Sequence, residues 1–338
     1  MKHTLLPYFF FILLSLTCLQ VHAKVNEQVL TSQEIDTALE RLVSTIDQHY
    51  IIDENRAALT RRIHRAINNG KFDNSFTFGR FKQNVEAMLT ETSGDTNFEL
   101  HWRAGMTGVA EKQAEPYPGR LQWQYLDGGI GYLAIEGDMF THKWQAEWAR
   151  SIRQLADSTA LIIDLRHAGL TSLSLSQHFL DYFIPAGETI TGVRFARNKH
   201  TRLVARVLAD NPLDNQLPVY ILTSPFTAGP WEFVAYTMKH QERATLLGMP
   251  TMGLGYLTKM VALSPHLNLK LAYAEFQHPI TKDNWQDWGV LPHLKCDAKN
   301  ALEAAQILIE QQINKASRQG KDAVSVLCNT ADKSVKTI

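Results

Sequence analysis

The apolar periodicity of this chain changes partway along, and that change confines the fold to a helical segment followed by alternating strands and helices. From Ser32 to about Thr92 the apolar residues recur at helical spacing: Ile35, Leu39, Leu42, Val43, Ile46 and Tyr50, then Leu59, Ile63 and Ile67, then Phe81, Val85 and Leu89. The spacing predicts about three helices. Asn68-Asn69-Gly70 divides them and Ser93-Gly94-Asp95 closes them, because glycine beside Asn, Asp or Ser supplies the backbone angles of a turn. A short strand is expected from Phe98 to Trp102.

After a stretch containing Pro116 and Pro118 the pattern shortens. Strands are expected at Leu121 to Leu126 and Ile130 to Ile135, around Asp127-Gly128-Gly129, followed by an amphipathic helix from Trp144 to Leu155 and a buried strand from Ala160 to Leu165. A helix (Leu173 to Phe183), a strand (Val219 to Thr223), a helix (Trp231 to His240), strands near Ala244 to Leu247 and Leu267 to Tyr273, and a helix from Ala298 to Ile313 complete an α/β domain. The expected division is a signal peptide at 1–23, a helical domain at 24–110, a linker at 111–120, the α/β domain at 121–316 and a polar tail at 317–338.

The first 23 residues have the parts of a cleavable secretory signal: Lys2 and His3, an apolar run from Leu5 to Leu16, and Val21-His22-Ala23 as a small-x-small site. The run is too short for a spanning helix, so the mature chain is expected to be periplasmic or secreted, with no integral membrane span. Cys18 lacks the small residue that precedes a lipoprotein thiol. Cleavage leaves Cys296 and Cys328, an even count that suggests one disulfide in an oxidising compartment, two separate thiols being the alternative. Neither cysteine has a CxxC neighbour and no histidine pair has HExxH spacing, so no metal and no cofactor is expected. The 34 basic and 34 acidic residues cancel without long blocks, which argues against nucleic acid as a partner and leaves small molecules or polypeptides.

Four segments occur in an informative order: Ile130-Gly131-Tyr132-Leu133, Ala160 through Asp164-Leu165-Arg166, Leu222-Thr223-Ser224 through Glu232, and Asn284-Trp285 through Pro292. Together they resemble the tail-specific, or C-terminal-processing, serine peptidase family. The likeness is to its branch without a PDZ domain, which includes the repeats of interphotoreceptor retinoid-binding protein, because the linker is too short to hold a PDZ module. The resemblance implies a small N-terminal helical domain plus a crotonase/ClpP-like ββα domain, with the site in the cleft between them.

Position by position, the resemblance implies a degraded catalytic site. The family's Thr-x-Ser-Ala-x-Glu segment is Thr227-Ala228-Gly229-Pro230-Trp231-Glu232 here, so the nucleophile position is Gly229, which has no oxygen to attack a carbonyl. The lysine of the family's Thr-x-Gly-Lys-Gly run is Leu254. The histidine and glutamate of other branches are Asn97, in Asp95-Thr96-Asn97, and Gln286, after Asn284-Trp285. The oxyanion loop Asp-Leu-Arg-x-Asn-x-Gly-Gly is Asp164 to Thr171, with Leu170 and Thr171 in place of the two glycines.

No catalytic residue is therefore assigned, although Ser224 or Thr227 acting with His167 as base is a rewired dyad that the sequence leaves open. Asp164, Arg166, His167, Phe226, Thr227, Trp231 and Tyr256 are the candidate ligand-binding residues, with core packing the competing reading for the aromatics and structural pairing for Asp164 and Arg166. The resemblance implies an exported binding protein for a hydrophobic small molecule or a polypeptide. An active serine peptidase and a chaperone-like holder of peptide ends are the alternatives.

Overall fold

The computed structural model describes residues 25–103, 117–278, 282–313 and 324–328. The expected signal peptide at 1–23, Cys18, most of the 111–120 linker and most of the 317–338 tail lie outside these residues. In chain order the first elements are β1 (Val29–Leu30), α1 (Ser32–His49), α2 (Asp53–Asn68), β2 (Phe76–Thr77), α3 (Phe78–Ser93), β3 (Glu99–Trp102), β4 (Arg120–Leu126), β5 (Ile130–Met139) and α4 (Lys143–Gln154). They are followed by β6 (Leu161–Thr171), α5 (Leu173–Leu180), β7 (Thr189–Phe195), β8 (Lys199–Val204), β9 (Val219–Thr223), α6 (Pro230–His240), β10 (Thr245–Gly248), β11 (Tyr256–Ala262), β12 (Leu267–Gln277), β13 (Leu294–Lys295) and α7 (Ala301–Ile313). The fold is mixed α/β, as the alternating periodicities require.

The described residues fall into two compact units. The first takes in residues 25–103 together with Arg194–Lys199 and Leu257–Glu275. Its helix α1 starts where the Thr31 hydroxyl accepts the Glu34 N–H at 3.2 Å, relieving one of the unpaired amides of a helix start. Its apolar stripe, Ile35, Leu39, Leu42 and Ile46, is fully buried, as are Leu59 and Ile63 of α2 and Phe81, Val85 and Leu89 of α3. Strand β3 pairs antiparallel with β12, Glu99 opposite Lys270 and Trp102 opposite Leu267. The two-residue pair β1 and β2, with Leu30 opposite Phe76, is too short to leave a periodic signal in the sequence.

The second unit takes in residues 117–193, His200–Tyr256 and the described residues from Phe276 onward. Its sheet runs in the order β13, β10, β9, β6, β5, β4. All neighbours are parallel except β4, which closes the edge as an antiparallel hairpin with β5. The central strands read as continuous apolar runs because both faces are covered. On β9, Tyr220 and Leu222 join Ile162, Leu247, Ala301, Ala304, Ala305 and Ile309 in one buried cluster with α7. Ile221 between them is equally buried and, by strand alternation, faces the opposite side.

The long helix begins at Ala301, three residues later than the apolar pattern suggests, because 298–300 form a turn in which the Asn300 and Ala301 N–H groups bond Asp297 O. Cys296 and Cys328 are disulfide-bonded, with Cα atoms 4.4 Å apart, and both are buried in the cluster beneath α7. The bridge holds the helical residues 324–328 against that core, and chain-entropy arithmetic for a loop of this length gives roughly 3.7 kcal/mol.

Candidate functional site

In sheets of parallel strands, ligands meet the loops beyond the carboxyl ends of the strands. Here those loops are 224–229 after β9 and 249–255 after β10, beside the far end of β6. Loop 224–229 is locked by its own hydroxyls. The Ser224 N–H donates to Thr227 Oγ1 at 3.1 Å and the Phe226 N–H to Ser224 Oγ at 3.1 Å. The Ser224 hydroxyl donates to Arg166 O at 2.6 Å, and the Thr227 hydroxyl to Leu165 O at 2.9 Å. Both side chains are buried and fasten this loop to β6. Neither hydroxyl bonds to His167, which is exposed, so the rewired dyad of the sequence reading is not assembled.

Gly229 forms the kink between this loop and α6. It has φ 53° and ψ −119°, a conformation that side-chain-bearing residues adopt only with strain, and no heavy atom lies within 4 Å of where a Cβ would stand. The kink is kept while the side chain is gone. Pro230 follows at the first helical position, where its missing N–H and fixed φ suit a helix start.

Glu232, in the first turn of α6, is fully buried and joins two of the altered positions, Gly229 and Leu254. Its Oε1 accepts from the Thr251 hydroxyl and the Gly253 N–H, each at 2.6 Å. Its Oε2 accepts from the Gly229 and Leu254 N–H groups, each at 2.8 Å. Four donors and the amino end of a helix together hold this carboxylate in the interior. Leu254, at the family's base position, thus contributes its backbone to the site and leaves its side chain at the surface. Gln286 acts similarly: its Oε1 accepts the Gly255 and Tyr256 N–H groups at 2.8 and 3.0 Å, while its Nε2 donates to Asp287 Oδ1. A Cβ at Gly255 would lie 2.8 Å from Gln286 N, so this close approach requires glycine.

The segment Asp164 to Thr171, matched to the family's oxyanion loop, lies entirely within β6, which runs on past the expected strand end at Leu165. Glu136 pairs with His167, Gly137 with Ala168 and Met139 with Thr171, with register shifts between them. The Leu170 N–H, at the position of the first of the family's two glycines, donates to Asp138 Oδ1 at 2.7 Å. Asp164 and Arg166 form an ion pair at 2.6 Å; Arg166 also donates to Ala298 O, and the Tyr132 hydroxyl donates to Asp164 Oδ2 at 2.7 Å. Burial opposes the charged form of Asp164, yet the Arg166 guanidinium and the Tyr132 hydroxyl hold its carboxyl below the ordinary carboxylate range. Arg166 thereby ties β6 to the turn before α7, and Asp164 holds the guanidinium in place.

Trp231, considered for a pocket wall, is fully buried and packs edge-on against Trp148 and Phe179, with ring centroids 6.0 and 5.6 Å away. It follows a helical step that points inward, so it is core. Phe226 stands out at 70% exposure and Tyr256 is half-buried. Asn97 lies in the first unit, where its N–H and its side-chain amide both donate to Asp95 Oδ1 at 2.8 and 2.7 Å.

Two residues that sequence reasoning missed are apolar and exposed, Met252 at 50% and Trp288 at 81%, and Leu254, read there only as an altered base position, joins them at 41%. Their loops are stitched together, with the Met252 N–H on Thr227 O at 3.0 Å and the Asp287 N–H on Gly253 O at 2.9 Å. Asp138 was missed too, because an isolated aspartate at a strand end carries no pattern. Chemically, this arrangement offers apolar contact surface and filled hydrogen-bond donors, with neither a nucleophile nor a base at the family positions.

The sequence matches the model of peptidase family S41 over residues 129–296. A carboxy-terminal-processing protease of Bartonella bacilliformis is 24% identical over 177 residues, a match that takes in 50% of this chain and 39% of the relative. The chain therefore spans about two fifths of the length of that curated relative. Among solved structures, a lipoprotein from Streptococcus agalactiae superposes with a TM-score of 0.61 at 12% identity, covering 84% of this chain and 97% of the other. A candidate peptidase from Parabacteroides merdae ATCC 43184 gives 0.59 at 16% identity, covering 85% and 99%. At these identities the structural matches speak for the fold.

Proposed function

Since the chain belongs to peptidase family S41 through residues 129–296, we propose that it is an exported, non-catalytic member whose strand-end loops hold a segment of polypeptide by apolar contact. The observation that carries this reading is the glycine at the nucleophile position together with the state of the backbone donors around it. The Gly229 and Leu170 N–H groups are both occupied by internal carboxylates, Glu232 and Asp138. An acyl-transfer site needs such donors aimed at the developing negative charge, and a carboxylate already in place repels it. Loss of one catalytic group alone leaves a residual of roughly 10³ to 10⁴ over water, and here nucleophile and base are altered as well.

For the ligand, the four exposed apolar side chains Phe226, Met252, Leu254 and Trp288 favour a polypeptide over a hydrophobic small molecule. Small-molecule sites enclose most of their ligand, whereas these residues stand on open surface with the aromatic character of protein contacts. Export rests on the signal-like start and the disulfide, which persists in oxidising compartments.

The test combines two measurements on the mature protein. A fluorophosphonate probe is expected to label no serine, and a panel of unstructured peptides is expected to bind, with Trp288→Ala weakening affinity about tenfold or more. Stoichiometric labelling of Ser224 would overturn the non-catalytic reading. Peptide affinity unchanged by loss of both Phe226 and Trp288 would overturn the ligand assignment.

A further inference from the structure

The opposite end of the parallel strands carries a cavity that the proposed function does not use. It lies at the amino ends of β9 and β10, bounded by Val219 and Thr245, has a volume of about 420 Å³, and is lined chiefly by polar side chains, among them Lys239, Arg243, His293, Gln216 and Gln312, with Glu242 on its exposed rim. Its two cations are unusual in their partners. The Lys239 ammonium donates to Leu291 O at 2.7 Å, and the Arg243 guanidinium to Leu217 O at 2.7 Å, Phe183 O at 3.2 Å and Asp214 O at 3.4 Å. These are main-chain carbonyls, and among the described residues neither cation forms an ion pair with a carboxylate.

The donor inventory leaves capacity over. Arg243 has five N–H groups and uses three, Lys239 has three and uses one, so two remain on each. His293 adds one more. Its Nδ1 accepts the Leu246 N–H at 2.9 Å, which places the proton of the neutral ring on Nε2. At the carboxyl end of α6 the Gln241 N–H bonds Thr237 O, the Arg243 and Ala244 N–H groups both bond Met238 O, and the Glu242 N–H bonds Lys239 O. Burial pushes Lys239, Arg243 and His293 below their ordinary pKa values, the Asp214 carboxylate only partly offsetting this at Arg243, so their charged forms lack a full counter-charge.

We propose that this cavity binds a small polar molecule through its phosphate group. The unused donors of Lys239, Arg243 and His293 suit the three terminal oxygens of a phosphate monoester, and charge-assisted bonds of this kind favour such an oxyanion. Gln216 and Gln312 are left for the polar remainder of the ligand. The Oε1 of Gln312 is fixed by the Tyr220 hydroxyl at 2.5 Å, so its amide N–H₂ is presented as a donor. The size fits small-molecule sites in general.

The experiment is calorimetric titration of the mature full chain with inorganic phosphate and, separately, with succinate. Phosphate is expected to bind saturably at one site, with Lys239→Gln weakening it about tenfold or more and Glu242→Gln binding as well as the wild type or more tightly. In the wild type, phosphate is also expected to shift the NMR resonances of the Arg243 Nε–H and the His293 ring, a readout that needs no variant. Absence of saturable phosphate binding by the folded wild type, or binding that leaves both resonances unmoved, would refute the site. Saturation by succinate with none by phosphate would refute the ligand class. None of these outcomes bears on peptide binding at the other end of the strands.

Discussion

Glu232→Gln replaces one oxygen of the buried carboxylate with an amide nitrogen, and the network around it dictates which. Placed at Oε2, the new N–H₂ would face two backbone donors, Gly229 and Leu254, neither of which can accept. Placed at Oε1, it faces the Thr251 hydroxyl, which can turn and accept, and the Gly253 N–H, which cannot. The second orientation is the less costly: it orphans one backbone amide, Gly253 N–H, and deprives the Thr251 O–H of its acceptor, while the Thr251 oxygen, which already accepts the Val290 N–H, takes the new N–H₂ on its second lone pair. Leaving the Gly253 N–H unpaired costs about 1–3 kcal/mol, and reducing the retained bonds from charged to neutral adds about 1 kcal/mol, so the expected loss is about 2–4 kcal/mol. Urea denaturation measures the total. Amide hydrogen exchange locates it: Gly253 should lose protection while Gly229 and Leu254 keep theirs. A loss below about 0.5 kcal/mol, with Gly253 exchanging as slowly as in the wild type, would refute the role given to Glu232.

Gly229→Ser should fold, because the side chain enters open space, but lose about 1–2 kcal/mol to its left-handed backbone. It should cleave no casein, since Leu254 and Gln286 are unchanged and the Gly229 amide stays on Glu232; measurable cleavage would show a less degraded site. His240 is pushed down to about 4 by burial first and then by the charges of His278, Lys239 and His293, so the folded state favours the neutral ring. Its contribution to stability is therefore present above the ordinary value of 6.5 and lost as pH falls from there toward 4. An NMR titration of the His240 ring checks this, and a midpoint near 6.5 would contradict it.

Much of the site was legible because its losses are changes of residue type. Gly229, Leu254, Gln286 and Asn97 announce missing side chains without any coordinates, since no arrangement of neighbours gives a glycine a hydroxyl. The replacements for those side chains were not legible. That Glu232 gathers Thr251, Gly253, Gly229 and Leu254 depends on two loops meeting across sequence separations of about twenty residues, which periodicity does not record. The same holds for Asp138, which reaches the Leu170 N–H from the neighbouring strand.

By itself the sequence determined the helical start, the strand-and-helix alternation and the lack of a side-chain oxygen at Gly229, because apolar periodicity and side-chain chemistry are local properties. Tertiary structure alone decided that the strand expected to end at Leu165 continues to Thr171 and that residues 194–199 and 257–275 join the N-terminal unit. It alone decided that Trp231 is core while Trp288 is surface, and that Lys239 and Arg243 meet at one cavity. Each of these depends on which segments become neighbours, and that is set by the competition of the whole chain for burial and hydrogen-bond partners.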